Sequence, residues 1–146
     1  MIETIFWASL ALVIYQYMGY PVVLLIMSLC FGKKAEKGDL LLEVTLIISA
    51  YNEEKIIDEK IKNTLALDYP KDKLEIVIAS EATDGTNKIA EKYADRGIKL
   101  FAFEDREGKA ATLFRSVPKT KGEIIVFSDA NAMYTKEAIK KLIRNF

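Results

Sequence analysis

The chain has 146 residues, of which 51% are hydrophobic and 29% charged, and its 21 basic residues balance its 21 acidic ones. This composition is typical of a folded globular chain, and the lack of a basic excess argues against a nucleic-acid partner. The sequence contains no histidine, which excludes histidine-based catalysis and most histidine-ligated metal sites. Its single cysteine, Cys30, excludes an intrachain disulfide and a four-cysteine zinc site.

The charges are distributed unevenly, because residues 4–32 include no charged side chain. This run exceeds the roughly 20 apolar residues that a helix needs to cross a bilayer, and Trp7 near its start suits a membrane interface. We predict a transmembrane anchor over residues 4–32, kinked at Gly19-Tyr20-Pro21. The alternative is a cleaved signal peptide, which would have a basic leader and a shorter apolar core.

The residues after this run set the expected orientation. Lys33, Lys34 and Lys37 follow it directly, whereas only Glu3 precedes it. By the positive-inside rule the lysine end is cytoplasmic. We therefore expect a single-pass protein of the cell membrane, with residues 33–42 as a linker and residues 43–146 as a cytoplasmic domain.

Four largely apolar runs, the first of them rich in β-branched residues, predict strands at 44–48, 74–79, 98–103 and 123–128. Helical patterns follow each run: one after Asn52, a favourable N-cap, and others at 87–96, 109–117 and from Thr135 to about 145. Gly97 is expected to end the second of these helices. Such alternation predicts an α/β fold, with a parallel sheet and helices on both faces.

Polar side chains follow several of these strands. In open α/β sheets, ligands bind outside the carboxyl ends of the strands. Arg106 and Lys109 flank Gly108, where a helix is predicted to begin and a cation can reach a phosphate. The candidate residues at the strand ends are Tyr51, Glu53, Glu81, Asp84, Asp129 and Asn131.

An aromatic ring, several acids and one or two cations suit a nucleoside diphosphate with a divalent ion, Mg²⁺ or Mn²⁺. Each feature alone has a plainer interpretation. Asp84-Gly85-Thr86 is usually a turn, a lone Gly-Lys pair is usually solvated, and an acid such as Asp129 often only caps the next helix. The sequence has no G-x-G-x-x-G after a strand and no Walker loop, which disfavours dehydrogenases and P-loop NTPases.

Four motifs follow one another along the chain: VTLIISAYNEE at 44–54, IVIASEATDGT at 76–86, REGK at 106–109 and IIVFSDAN at 124–131. Taken in order, they resemble the donor half of family 2 glycosyltransferases, especially the membrane-anchored polysaccharide synthases. The resemblance covers residues 43–146, and Gly19-Tyr20-Pro21 is similar too. It implies half of a GT-A-like fold, a nucleotide-sugar donor that is usually UDP-linked, a divalent metal, and inverting transfer to a glycan or lipid-linked acceptor.

The resemblance also implies roles for individual residues. Tyr51 would stack on the base, Glu53 would lie near the ribose, and Glu81 would hold the uracil edge. Lys109 would approach the diphosphate. Asp129 and Asn131 occupy the two ends of the family's D-x-D motif and would hold the metal.

Several positions depart from the family pattern. The second motif is one residue short and has Glu81 where Asp is usual, and Phe114 stands where Asn is common. Asn131 replaces the second acid of D-x-D, and an amide oxygen binds a hard cation more weakly than a carboxylate does.

No residue matches the acceptor-side catalytic base, which would follow Phe146, so we expect the 43–146 domain to be truncated at its C-terminal end. The chain is then either the donor portion of a glycosyltransferase or a nucleotide-sugar-binding module that needs a downstream or partner chain for activity.

Overall fold

The structure is a computed structural model that describes residues 1–32, 38 and 41–146. It divides into two compact units, Met1–Glu36 and Lys37–Phe146. The lysines on which the predicted orientation depends, Lys33, Lys34 and Lys37, lie outside the described residues, as does most of the predicted 33–42 linker. The predicted domain bounds therefore stay a prediction.

The first unit is helical from Ile2 to Phe31. Helix α1 (Ile2–Ile14) continues through a π-helical segment (Tyr15–Gly19) into α2 (Tyr20–Phe31), and none of its side chains is buried. Together they form a 30-residue helix that is long and apolar enough to cross a membrane. The predicted irregularity at Gly19-Tyr20-Pro21 takes the form of the π-helical segment. Pro21 has no N–H to donate to the preceding turn, and a widened turn accommodates its ring.

The second unit is built on a four-stranded parallel sheet in the order β3-β2-β1-β4. Its strands are β1 (Val44–Ala50), β2 (Leu74–Ser80), β3 (Ile98–Ala102) and β4 (Ile124–Asp129). The four predicted strands and their parallel arrangement are confirmed. Strand β1 lies in the centre, and the chain returns past it to form β4. The carboxyl ends of β1, β2 and β4 therefore meet at one edge, where a doubly wound sheet binds its ligands.

Helices cover both faces of the sheet, as predicted. They are α3 (Ile57–Leu65), α4 (Thr86–Glu91), α5 (Lys109–Ser116) and α6 (Ala138–Ile143), with short 3₁₀ turns at Ala94–Arg96 and Val117–Lys119. Alternate residues of a strand face opposite sides. Leu46 and Ile48 of β1 accordingly belong to the larger core, which includes residues of α3, α4 and α6, whereas Ile47 packs on the opposite face against Leu113 of α5.

Two predicted helix caps are wrong. Helix α3 begins at Ile57, five residues beyond Asn52. Asn52 has a left-handed backbone (φ 54°), and its side-chain oxygen accepts a hydrogen bond from the Thr83 amide at 2.9 Å. Its side chain thus bonds to the neighbouring loop and not to a helix end. Helix α6 begins at Ala138 and not after Thr135. The helix predicted over 87–96 is interrupted: α4 ends at Glu91, and Gly97, with φ 89°, caps the separate 3₁₀ turn Ala94–Arg96.

Candidate functional site

A pocket of about 310 Å³ opens at the carboxyl edge of the sheet. Its lining combines an aromatic ring, three acids, two cations and an amide from four separate loops. It brings together seven of the eight candidate residues that the sequence placed at the strand ends and around Gly108: Tyr51, Glu53, Glu81, Arg106, Lys109, Asp129 and Asn131. The roles of these residues in binding stay predictions, but their convergence is a property of the fold.

The sheet register explains this convergence. Ala50 of β1 pairs with Ser80 of β2, so Tyr51 and Glu81, one residue further along, leave the sheet side by side. On the other side of β1, Ser49 pairs with Asp129 of β4. Three loops with unrelated sequences therefore start from adjacent points on one edge.

The exposed ring of Tyr51 is covered on one face by Arg106. The guanidinium carbon of Arg106 lies 4.2 Å from the ring centroid, which is a cation–π contact. Tyr51 remains 40% exposed. A planar base that stacks here must use the open face of the ring or displace the arginine.

Glu81 is almost fully buried, with 5% exposure, and its carboxylate is held by protein donors. It accepts hydrogen bonds from the amides of Gly108 (2.9 Å) and Glu107 (3.2 Å) and from the guanidinium of Arg115 (2.8 Å). Burial raises the pKa of Glu81, but the hydrogen bonds from Thr112 and these amides, with the charge of Arg115, outweigh it and lower the pKa. Glu81 thus fixes the loop before α5. The uracil-edge role predicted for Glu81 would compete with these bonds.

Sequence reasoning missed Arg115, which pairs with the pocket residue Glu81. Its guanidinium also packs over the Phe103 ring at 4.3 Å and pairs with Glu107 at 3.2 Å. Arg115 and Glu81 are 34 residues apart, on α5 and after β2. No local pattern signals their pairing, since an arginine on a short amphipathic helix ordinarily faces solvent.

The loops after β1 and β2 are bonded to each other. The Glu53 amide donates to the Thr86 hydroxyl at 2.9 Å, and the Thr86 amide donates to Asp84 at 2.9 Å. Asp84 also accepts from the Glu54 amide at 3.3 Å. Burial raises the pKa of Asp84, but hydrogen bonds from the Thr86 hydroxyl and from the Thr86 and Glu54 amides outweigh it and lower the pKa. Asp84, which the sequence placed among the rim acids, therefore stabilises a turn and does not line the pocket.

At the β4 side of the pocket, Lys109 and Asp129 form an ion pair. The Lys109 amine donates to a carboxylate oxygen of Asp129, and the same oxygen accepts from the Ser49 hydroxyl at 3.3 Å. The hydrogen bond from Lys109 is the main reason that the pKa of Asp129 is lowered. Both side chains are more than half exposed, at 57% and 55%.

The donors here suit a hard cation only in part. In the portion of the chain that the structure describes, no three His, Cys, Asp or Glu side chains are grouped for a metal ion. Asp129 and Asn131 nevertheless offer a carboxylate and an amide oxygen on one pocket wall. Mg²⁺ commonly uses one or two carboxylates and completes its shell with substrate phosphates and water. The pair fits a metal that binds together with a phosphate-bearing ligand.

Lys60 lies beneath the loop that carries Asn131 and is fully buried. Its amine donates to the Ser128 hydroxyl at 2.8 Å and to the carbonyl of Ala132, and it lies 4.0 Å from the Tyr134 ring centroid. Burial lowers the pKa of Lys60 to about 8, although Asp129 opposes the shift. Sequence reasoning missed this residue. Its position three residues after Ile57, on the apolar face of α3, was the available signal.

Comparison with known proteins identifies the family. The family model described as "Glycosyl transferase family 2" matches residues 45–146. The poly(ribitol-phosphate) beta-N-acetylglucosaminyltransferase TarS of Staphylococcus aureus is 28% identical over 103 residues, which are 68% of this chain and 18% of TarS. The poly-beta-1,6-N-acetyl-D-glucosamine synthase of the same organism is 27% identical over 104 residues, 70% of this chain and 25% of the synthase.

Solved structures of a mannosyltransferase and of TarS also resemble this chain in fold. The mannosyltransferase PcManGT of Pyrobaculum calidifontis, in complex with GDP-Man and Mn²⁺, superposes with a TM-score of 0.74 at 28% identity. That match covers 89% of this chain and 41% of PcManGT. A crystal structure of S. aureus TarS 1-349 with UDP-GlcNAc has a TM-score of 0.65 at 28% identity, covering 70% of this chain and 30% of the other. The chain spans less than half the length of each of these proteins.

The family match covers more than half of the chain, and the parallel sheet with helices on both faces is that of the solved relatives. The chain belongs to glycosyltransferase family 2, and its second unit has a GT-A-like fold.

Proposed function

We propose that this chain is the donor-binding part of a glycosyltransferase that takes a nucleotide-diphospho-sugar, UDP-linked, for inverting transfer to a glycan or lipid-linked acceptor. The observation that carries this proposal is the pocket itself. It presents an aromatic ring after β1, and it presents a cation and a strand-end acid beside β4. A nucleotide needs a surface for its base and charge compensation for its diphosphate, and this pocket offers both. The solved complexes of relatives with UDP-GlcNAc and GDP-Man support the class of ligand.

At the base end, the proposal assigns stacking to Tyr51 and ribose contact to Glu53. Tyr51 is half-exposed at a loop tip, and its neighbour Arg106 already stacks on one face, so the ring tolerates a planar partner. Base–aromatic stacking typically contributes about 1–3 kcal/mol. Glu81 holds the loop that carries Arg106, so we infer that it shapes the base end whether or not it contacts the base.

At the diphosphate end, Lys109 would leave Asp129 and pair with a phosphate, while Asp129 and Asn131 would hold Mg²⁺ or Mn²⁺. Such an ion, when bound, supplies a counter-charge for the diphosphate leaving group. The need for one follows from charge. A diphosphate brings two or three negative charges beside Asp129, and Lys109 supplies only one positive charge. The complex of PcManGT with GDP-Man and Mn²⁺ supports this assignment.

A second candidate function is a nucleotide-sugar-binding module that needs a downstream or partner chain for activity. The pairing of the pocket acids favours it. Glu81 is held by Arg115 and Asp129 by Lys109. General-base assistance typically contributes about 10²–10⁴-fold to a rate, and we assign that role to no described residue.

Titration of the full chain with UDP, in Mn²⁺ and in EDTA, tests the proposal. We expect UDP to bind more tightly in Mn²⁺, and this gain to vanish in Asp129→Ala. Asp95→Ala is the matched control, because Asp95 is an exposed acid outside the pocket. Equal UDP affinity in Mn²⁺ and in EDTA would mean that the motif keeps its shape without an ion. The non-catalytic module would then be the better interpretation.

We also propose that the helix Ile2–Phe31 anchors the chain in the cell membrane as a single pass, with the second unit in the cytoplasm. Its length of 30 residues and its apolar composition support this placement, although a signal sequence at the same position would satisfy the same criteria. Cytosolic nucleotide sugars would then reach the pocket directly. Protease digestion of sealed, inside-out vesicles should degrade the second unit. Protection of that unit in such vesicles would reverse the orientation.

A further inference from the structure

The loop between β4 and α6 carries Asn131, and residues 132–135 have no regular secondary structure. A loop of this kind does not by itself hold a side chain in one orientation. Within it, the Ala132 amide donates to the Asp129 carbonyl at 3.3 Å. At its far end the Lys136 carbonyl accepts from the Asp68 amide at 2.8 Å. Further contacts nearer Asn131 come from one face of α3.

Two side chains of α3 hold this loop. Lys60 donates to the Ser128 hydroxyl and to the Ala132 carbonyl, the two residues that bracket Asp129–Asn131. One turn further along, Asn63 binds the backbone of Tyr134 twice. It donates to the Tyr134 carbonyl at 3.0 Å and accepts from the Tyr134 amide at 2.9 Å.

Stability does not account for a lysine at this position. Lys60 is fully buried on the apolar face of α3, between Ile57 and Ile61, which belong to the core. Removing an ammonium group from water carries a penalty of several kcal/mol, and well-packed apolar residues are often as good or better for stability. The amine instead donates its hydrogen bonds to Ser128 and Ala132, on either side of the pocket residues Asp129 and Asn131. Its position therefore has the geometry of a positioning residue.

We propose that Lys60 is a positioning residue for the diphosphate end of the pocket, which it serves by fixing the segment from Ser128 to Ala132 so that Asp129 and Asn131 face the ligand. This inference rests on the proposed function, because it assumes that a phosphate-bearing ligand and its metal use those two residues. Partners that orient metal ligands from outside the coordination shell typically change metal affinity or activity about 10–100-fold when they are mutated.

The test compares three forms of the full chain in detergent: wild type, Lys60→Met and Thr64→Val. Methionine resembles the apolar stem of lysine, is one atom shorter, and lacks its donors. Thr64 is the matched control because it is buried on the same helix and its hydroxyl donates within α3, to the Lys60 carbonyl at 2.8 Å. The measurements are UDP affinity in Mn²⁺ and in EDTA, uridine affinity, and hydrogen exchange of the ligand-free backbone at residues 130–134.

We expect Lys60→Met to reduce UDP affinity in Mn²⁺ by about 10–100-fold, to leave uridine affinity within about twofold, and to accelerate exchange at residues 130–134. Thr64→Val should change none of these. Wild-type UDP affinity and exchange in Lys60→Met would overturn the positioning role. Equal losses for UDP and uridine, or the same losses in Thr64→Val, would assign the effect to folding and would also overturn it.

The same experiment separates this inference from the proposed function. If wild type shows no gain of UDP affinity in Mn²⁺, the metal assignment fails. The exchange rates alone then decide whether Lys60 positions the loop. If wild type shows the gain and Lys60→Met keeps it, the metal assignment stands and the inference about Lys60 fails.

Discussion

Replacing Lys109 with methionine should tighten the binding of Mn²⁺ alone and weaken the binding of UDP. In the ligand-free structure, Lys109 pairs with Asp129, the acid proposed to hold the metal. Without nucleotide, a cation must compete with the lysine for that carboxylate. Both side chains are more than half exposed, and exposed pairs of this kind are typically worth about 0.2–1 kcal/mol. Removing the competitor should therefore tighten Mn²⁺ binding by about 1.5- to 5-fold.

The same substitution should weaken UDP binding, because it removes a cation that would pair with the diphosphate. Calorimetric titration of the full chain with Mn²⁺ alone, and then with UDP, measures both effects. Lys88→Met is the matched control, since Lys88 is an exposed lysine on α4 that lies outside the pocket lining. Unchanged or weaker Mn²⁺ binding in Lys109→Met would refute the competition. Tighter binding of both ligands would contradict the diphosphate role of Lys109.

Three further outcomes are expected. Tyr51→Ala should weaken UDP binding by roughly 1 kcal/mol through lost stacking, whereas Tyr51→Phe should not weaken it. If calorimetry shows wild-type UDP affinity in Tyr51→Ala, Tyr51 does not stack on the base. Glu81→Gln should lower the free energy of unfolding of the ligand-free protein by about 1.5–3 kcal/mol, because it weakens the hydrogen bonds that the carboxylate accepts from the Glu107 and Gly108 amides and from Arg115. Unchanged stability, in denaturation followed by circular dichroism, would argue that Glu81 does not hold the loop before α5. Burial lowers the pKa of Lys60 from 10.5 to about 8, so between these pH values the unfolded chain binds more protons than the folded chain. The free energy of unfolding should therefore rise with pH in this range, by up to about 1.4 kcal/mol per pH unit, and Lys60→Met should remove the rise. Denaturation at several pH values that shows the same rise in both forms would assign it to other groups.

Much of the second unit could be predicted from the sequence because its signals are local. The four apolar runs are buried strands, and helical segments between them require parallel crossovers. Polar residues directly after such strands must lie at the carboxyl edge. For that reason Tyr51, Asp129 and Asn131 were correctly expected to share one rim. Helix starts were less predictable. Asn52 has the side chain of an N-cap, but that side chain bonds to the Thr83 amide instead.

The sequence by itself determined the fold class, the family and the edge of the sheet that holds the pocket, because periodicity and short motifs act over a few residues. Only the tertiary structure decided which groups meet there. The order β3-β2-β1-β4 brings Arg115 to Glu81, 34 residues away, and Lys60 to Ser128, 68 residues away. No window of sequence contains both members of such a pair. Their contact depends on how helices α3 and α5 pack against opposite faces of the completed sheet.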